Sequence, residues 1–315
     1  MSNTLISMRK LRYIIIILLL FLLVACGPTE SAINVRLNSD LIKGEVHWPV
    51  DAESPKVYTF GFDRRLEPKE DVRIYASLLQ YLERKTGYRF VLSVTPKDGS
   101  LVEEIGRGGA DFAIVGTLTY LQAHEQFEAR MLVRGINAQN ENVYRAAIVA
   151  RTDSKISSLA DLRGRSFAFG ASNSTQGHLI PRLMLEQAGV ELTSLRSYDF
   201  TGSHAETANA VISGRAEAGG MQDTLAQSLV DRGLLRIVAW SDPYPSSGVL
   251  AGARVTTEVV EAVTAALLAF DPKGQDSAGL YHWERTEMPN GFSLAEDADY
   301  IELRRWAEKY GLLTP

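Results

Sequence analysis

Four consecutive residues, Ser174-Thr175-Gln176-Gly177, carry the most reactive polar pattern in the chain. The two hydroxyls stand where an apolar strand, Phe167-Ala-Phe169, gives way to a helical run, and Ser and Thr cap helices at such points. A helix beginning there turns the N–H groups of Gln176, Gly177 and His178 out of the fold. Those donors, the flanking hydroxyls and the positive end of the helix dipole form an anion site suited to a small tetrahedral oxyanion. The plain alternative is a cap that binds nothing.

Other polar groups sit at comparable strand-to-helix turns. His204 ends Thr201-Gly-Ser-His204; protonated, it would add a charge-assisted bond to an anion and make binding pH-sensitive. Asp223 reads equally as a helix cap or as a carboxylate that accepts from a protonated oxyanion and so rejects sulfate. Phe62, Thr117 and Tyr120 fall beside the matching turns of the first half, where each is either packing or cleft wall. Arg64 and Arg65 adjoin Phe62, and a pair of arginines in a polar loop reads as solvated. The pattern does not favour catalysis. No Gly-x-Ser-x-Gly or His-Glu-x-x-His occurs, and the histidines at 47, 124, 178, 204 and 282 lack metal-ligand spacing. No cofactor or metal is expected.

Strand and helix alternate around these turns. Val57 to Phe62 reads as a strand, followed by a helix with Ile74, Leu78, Leu79 and Leu82 on one face, ending at Thr86-Gly87. Tyr88 to Val94 and Asp111 to Val115 are further strands, and Gly99-Ser100 and Gly116-Thr117 open further helices. The same plan recurs about a hundred residues on. Glu83-Arg-Lys-Thr-Gly87 lies over Glu186-Gln-Ala-Gly189, Gly99-Ser100 over Gly202-Ser203, and Gly109-Ala-Asp111 over Arg215-Ala-Glu217. Two α/β lobes of one design follow, each expected to hold a mostly parallel sheet flanked by helices. Tyr144 to Ala150 and Ser241 to Gly248 cross between them, placing lobe one at 57–145 and 249–315 and lobe two at 146–248. The helical stretches Val259 to Phe270 and Asp297 to Tyr310 are expected to complete lobe one. The cleft between the lobes, beyond the carboxyl ends of the strands, is the expected ligand site.

Residues 1–26 have a basic start, an apolar run from Ile14 to Ala25 and the ending Leu23-Val-Ala-Cys26. The run is short for a spanning helix but fits an export signal. The ending resembles the bacterial lipobox, which implies a lipid on Cys26 tethering an exported domain; an uncleaved membrane anchor is the alternative. Residues 27–56 read as a tether. Cys26 is the only cysteine, so no intrachain disulfide exists. A net charge of -5 disfavours nucleic acid and leaves any anion to be held by local geometry.

Asp161-Leu-Arg-Gly-Arg-Ser-Phe-Ala-Phe-Gly170, Ser174 to Pro181 and Phe200 to His204 resemble the phosphate/phosphite/phosphonate-binding proteins of ABC importers, a group of type II periplasmic binding proteins. The resemblance runs from about Tyr58 to Tyr310 and implies a two-lobed fold with the ligand between lobes. It implies an oxyanion held by Ser174, Thr175, Gln176 and Gly177, approached by His204 and walled by Tyr120. Gln176 departs from the family's usual serine and would shrink or repolarise the pocket. Phosphate, phosphite or a close analogue is therefore expected ahead of an aminoalkylphosphonate. The expected partner is an ABC permease serving a monomeric capture protein. A sensor of the same fold, signalling to a membrane kinase or cyclase, is the alternative, and an enzyme on this fold is a third.

Overall fold

The computed structural model describes residues 33–35, 56–65, 68–96 and 99–313; the expected export signal, Cys26 and most of the expected tether lie outside them. The first half runs β1 (Ile33–Val35), β2 (Val57–Phe62), α1 (Pro68–Thr86), β3 (Arg89–Val94), α2 (Leu101–Arg107), β4 (Phe112–Val115), α3 (Thr117–Phe127), β5 (Arg130–Gly135) and β6 (Val143–Tyr144). Next come β7 (Ala146–Arg151), β8 (Ser166–Phe169), α4 (Ile180–Gln187), β9 (Ser197–Phe200), α5 (His204–Ile212), β10 (Ala218–Gln222), α6 (Asp223–Asp231) and β11 (Leu235–Trp240). The chain returns through β12 (Tyr244–Pro245), β13 (Gly248–Ala251), α7 (Thr257–Leu268), β14 (Phe292–Leu294) and α8 (Ile301–Lys309).

Two sheets result. The first has the order β1-β3-β2-β4-β13-β5-β14 and the second β11-β7-β10-β8-β9, while β6 and β12 form a short ladder of their own where the chain passes between them. The expectation of mostly parallel sheets is corrected. Only β2 with β3 and β4, and β8 with β9 and β10, run parallel; the remaining pairings in both sheets are antiparallel. The parallel pairs are those joined through crossover helices. The strands that carry the chain in from the crossings, β7 and β13, enter against that direction and pair antiparallel with their neighbours.

The repeat visible in the sequence has a physical counterpart in each lobe. Ser100 and Ser203 cap α2 and α5, accepting from the N–H of Glu103 at 3.3 Å and of Glu206 at 3.1 Å. Asp111 accepts from the N–H of Thr59 at 2.7 Å and its hydroxyl at 2.8 Å; Glu217 does the same for Ser166 at 3.0 and 3.4 Å. Each carboxylate therefore fastens the strand before which it stands to that strand's parallel neighbour, β4 to β2 and β10 to β8. Gly87 and Gly189 end α1 and α4 with φ of 74° and 71°, a left-handed turn that a Cβ would strain.

Both C-terminal helices pack against the first half of the chain, α7 on the first sheet and, after it, α8. That helix packs on α3 and also reaches lobe two. Tyr310 donates its hydroxyl proton to Glu186 at 2.7 Å, Lys309 pairs with the same carboxylate, and the Arg182 guanidinium lies 4.0 Å from the Tyr310 ring. A third connection therefore spans the lobes beside the two crossings.

Candidate functional site

Strand β8 is wholly buried and is followed by Gly170, whose N–H donates to the Gly177 carbonyl at 2.8 Å. The backbones of Gly170 and Gly177 meet so closely that a Cβ on Gly177 would lie 3.0 Å from the Gly170 α-carbon and 2.9 Å from Ser174 Oγ. Ser174 is the N-cap as expected, its hydroxyl accepting from the Gly177 N–H at 2.9 Å. The first turn, Thr175–Leu179, is however a wide π turn, in which the N–H groups of His178 and Leu179 both reach the Ser174 carbonyl at 3.1 Å. Gly177 and His178 thus spend their N–H groups closing the turn. The groups left without a backbone partner among the described residues are those of Thr175 and Gln176. His178 steadies the loop from behind, donating from Nδ1 to the Ser172 carbonyl at 2.7 Å with its ring edge-on to Phe169 and Phe200.

This loop faces a cavity of about 870 Å³ between the lobes. Of the expected site residues, Phe62, Ser174, Thr175, Gln176 and His204 line it, and the structure adds Asp63, Arg65 and Tyr144. Thr117, Tyr120, Gly177 and Asp223 lie behind the wall. Thr117 is fully buried, its hydroxyl 3.2 Å from that of Tyr144. Tyr120 is turned to the far side of α3, where it donates to Asp297 at 2.9 Å and packs on Tyr300, so the expected aromatic wall falls to Phe62 and Phe200. Gly177 acts through close approach instead of donation. Asp223 accepts from the N–H of Arg145 at 3.0 Å and of Thr224 at 2.7 Å, tying α6 to the crossing strand. Burial, with Glu287 nearby, pushes its carboxyl up to about 6. Gln176 lines the pocket, with its amide nitrogen turned to the Arg145 carbonyl at 2.9 Å.

The lobes touch across the cavity through hydroxyls. Thr175 Oγ1 accepts from the Leu118 N–H at 2.7 Å, capping α3 from the other lobe, and the Asn173 amide reaches Thr119 at 3.4 Å. Tyr144, on the crossing strand, has its hydroxyl between those of Thr117 and Thr175.

Charge at the cavity floor comes from residues the sequence underrated. Arg65 is buried, not solvated: it pairs with buried Glu287, and its N–H donates to Asp71 at 3.1 Å. No sequence signal links positions 65 and 287, which only the fold brings together. Asp63 accepts from the Gly116 N–H at 2.8 Å and from the Thr119 hydroxyl at 3.1 Å, and burial raises its carboxyl despite those bonds and Arg65. His204, the first residue of α5, is buried with Nδ1 lacking a partner among the described residues. Burial and then Arg65 hold its imidazole down at about 3, so it is neutral at physiological pH and offers the cavity an uncharged donor or acceptor.

The family described as ABC transporter, phosphonate, periplasmic substrate-binding protein matches residues 60–300. The chain belongs to this family. Among similar curated proteins of the phosphonate-binding family, the probable ABC transporter phosphite binding protein PhnD1 of Prochlorococcus marinus is 29% identical over 163 residues, covering 51% of this chain and 50% of that one. The phosphate-import protein PhnD of Mycolicibacterium smegmatis is 28% identical over 174 residues, covering 51% and 54%. The chain spans about half the length of these curated relatives. The crystal structure of Prochlorococcus marinus PhnD1 with methylphosphonate superposes with a TM-score of 0.73 at 19% identity, over 82% of this chain and 100% of that one. It establishes the shared two-lobed fold. Among the described residues no helix is long and apolar enough to cross a membrane.

Proposed function

We propose that this protein captures a small phosphorus oxyanion, phosphate, phosphite or a simple phosphonate, between two lobes and delivers it to an ABC importer. One observation carries the reading: Ser174, Thr175 and Gln176 line an interlobe cavity at a helix start, where the N–H groups of Thr175 and Gln176 have no backbone partner among the described residues. His204 and Arg65 line the same cavity, and Tyr144 stands at the crossing. Family membership and the relatives' names support the ligand class. Lobe one is taken as 57–145 with 249–315, lobe two as 146–248, and closure as hinging at the crossings. A lipid on Cys26 holds the monomeric protein at the outer face of a membrane. Binding, not turnover, is its activity. Calorimetric titration with phosphate, phosphite, methylphosphonate and sulfate tests the reading: micromolar or tighter binding of a phosphorus oxyanion is expected. No heat and no thermal shift with any of the three phosphorus compounds would refute it.

A further inference from the structure

We infer that Asp63 selects the protonation state of the bound oxyanion: its carboxylate accepts the acidic proton of a hydrogen-bearing ligand such as hydrogen methylphosphonate and repels the fully ionised form. The inference rests on the oxyanion reading of the cleft and names the residue that sets ligand charge.

Asp63 follows β2 directly and lines the cavity opposite the Ser174 loop. Its carboxylate sits at the start of α3, where the helix dipole favours an anion, and takes the Gly116 N–H at 2.8 Å and the Thr119 hydroxyl at 3.1 Å. Further along the same helix start the Leu118 N–H is capped by Thr175 at 2.7 Å. Two of that helix start's donors, the Gly116 and Leu118 N–H groups, are therefore taken by the protein's own oxygen atoms. A ligand held by the donors of lobe two meets the Asp63 acceptor on the other side. The two are close: a Cβ built on Gly116 would stand 3.1 Å from Thr175 Oγ1 and 3.8 Å from Asp63 Oδ2.

From the loop of Asp63 itself come Arg64, which also lines the cavity but turns its guanidinium to the Pro96 carbonyl at 2.5 Å, and Arg65, which is matched by Glu287 from the segment before β14. Helix α3 and the Ser174 loop face Asp63 with uncharged groups, Gly116, Thr119 and Thr175. His204 from α5 adds no charge at neutral pH. With Arg65 and Glu287 cancelling, a doubly charged ligand would face the negative charge of an ionised Asp63 across the cleft. One proton shared between a ligand oxygen and Asp63 Oδ removes the clash. At a pH where the free ligand is a dianion and Asp63 is ionised, that proton comes from solvent, so complex formation takes up one proton.

The test uses the mature chain and methylphosphonate. Above the second ionisation of the ligand, wild-type affinity should fall about tenfold per pH unit. Titrations in buffers of different ionisation enthalpy should report uptake of about one proton per ligand, a measurement that needs no variant. Asp63→Asn keeps an oxygen for Gly116 and offers the cavity an amide donor. It should flatten the pH profile, abolish proton uptake and admit sulfate, which wild type should reject. Wild-type binding with a flat profile and no proton uptake overturns the role of Asp63 while leaving the oxyanion reading standing. An Asp63→Asn profile identical to wild type does the same. Absence of methylphosphonate, phosphate and phosphite binding at every pH overturns both.

Discussion

Glu287→Gln isolates the charge at the cavity floor, because the substitution keeps the side chain's shape and removes only its negative charge. Arg65 and Glu287 are 8% and 3% exposed, so the guanidinium has little water to turn to once its partner is neutral. Breaking a buried pair from one side costs about 3–5 kcal/mol. Asp63 also acts on Arg65, which places the expected loss near the lower bound, about 3 kcal/mol. For a chain of this size that is a fall of about 6–12 °C in Tm. Arg65→Met with Glu287→Leu removes both charges, leaves no stranded ion and should recover most of the loss. Urea unfolding followed by tryptophan fluorescence, paired with calorimetric scans, measures both variants. An E287Q loss below about 1 kcal/mol, or a double variant no better than the single, would refute the view of this pair as a desolvated unit.

Ser174→Ala should lower stability by about 1 kcal/mol through the lost cap and lower methylphosphonate affinity at least about tenfold, read by thermal shift and titration calorimetry. Gly177→Ala forces a Cβ to 2.9 Å from Ser174 Oγ and 3.2 Å from the His204 ring, so a destabilisation of about 1–3 kcal/mol is expected, with weakened binding; chemical denaturation checks it. His204 is neutral in the fold down to about pH 3 but takes a proton near pH 6.5 when unfolded. Between those values the unfolded chain binds more protons, so stability falls on acidification by up to about 1.4 kcal/mol per pH unit, and His204→Asn should remove that slope in denaturation series. Tyr310→Phe removes the hydroxyl contact to Glu186 between α8 and lobe two; small-angle scattering should report a larger radius of gyration for the ligand-free variant and no change with ligand bound.

Local chemistry was legible in the sequence wherever a residue and its partner lie within one turn. The Ser174, Ser100 and Ser203 caps and the glycine stops at Gly87 and Gly189 all act within a few residues of themselves, which is why their types and spacing disclosed both lobes. The repeat then implied a cleft, and family membership places that cleft in a known two-lobed fold. What escaped the sequence depended on partners far apart in the chain. Arg65 reads as solvated until Glu287 is brought against it, and Tyr120 reads equally as packing or cleft wall until Asp297 draws its hydroxyl away. The direction of the strands entering from the crossings, and the choice of a π turn over an α turn after Ser174, are likewise settled by packing among β7, β10 and the loop. Sequence by itself determined where helices begin and that the design occurs twice. Tertiary structure alone decided which buried charges cancel, because desolvation and Coulomb attraction depend on distances that no local pattern encodes.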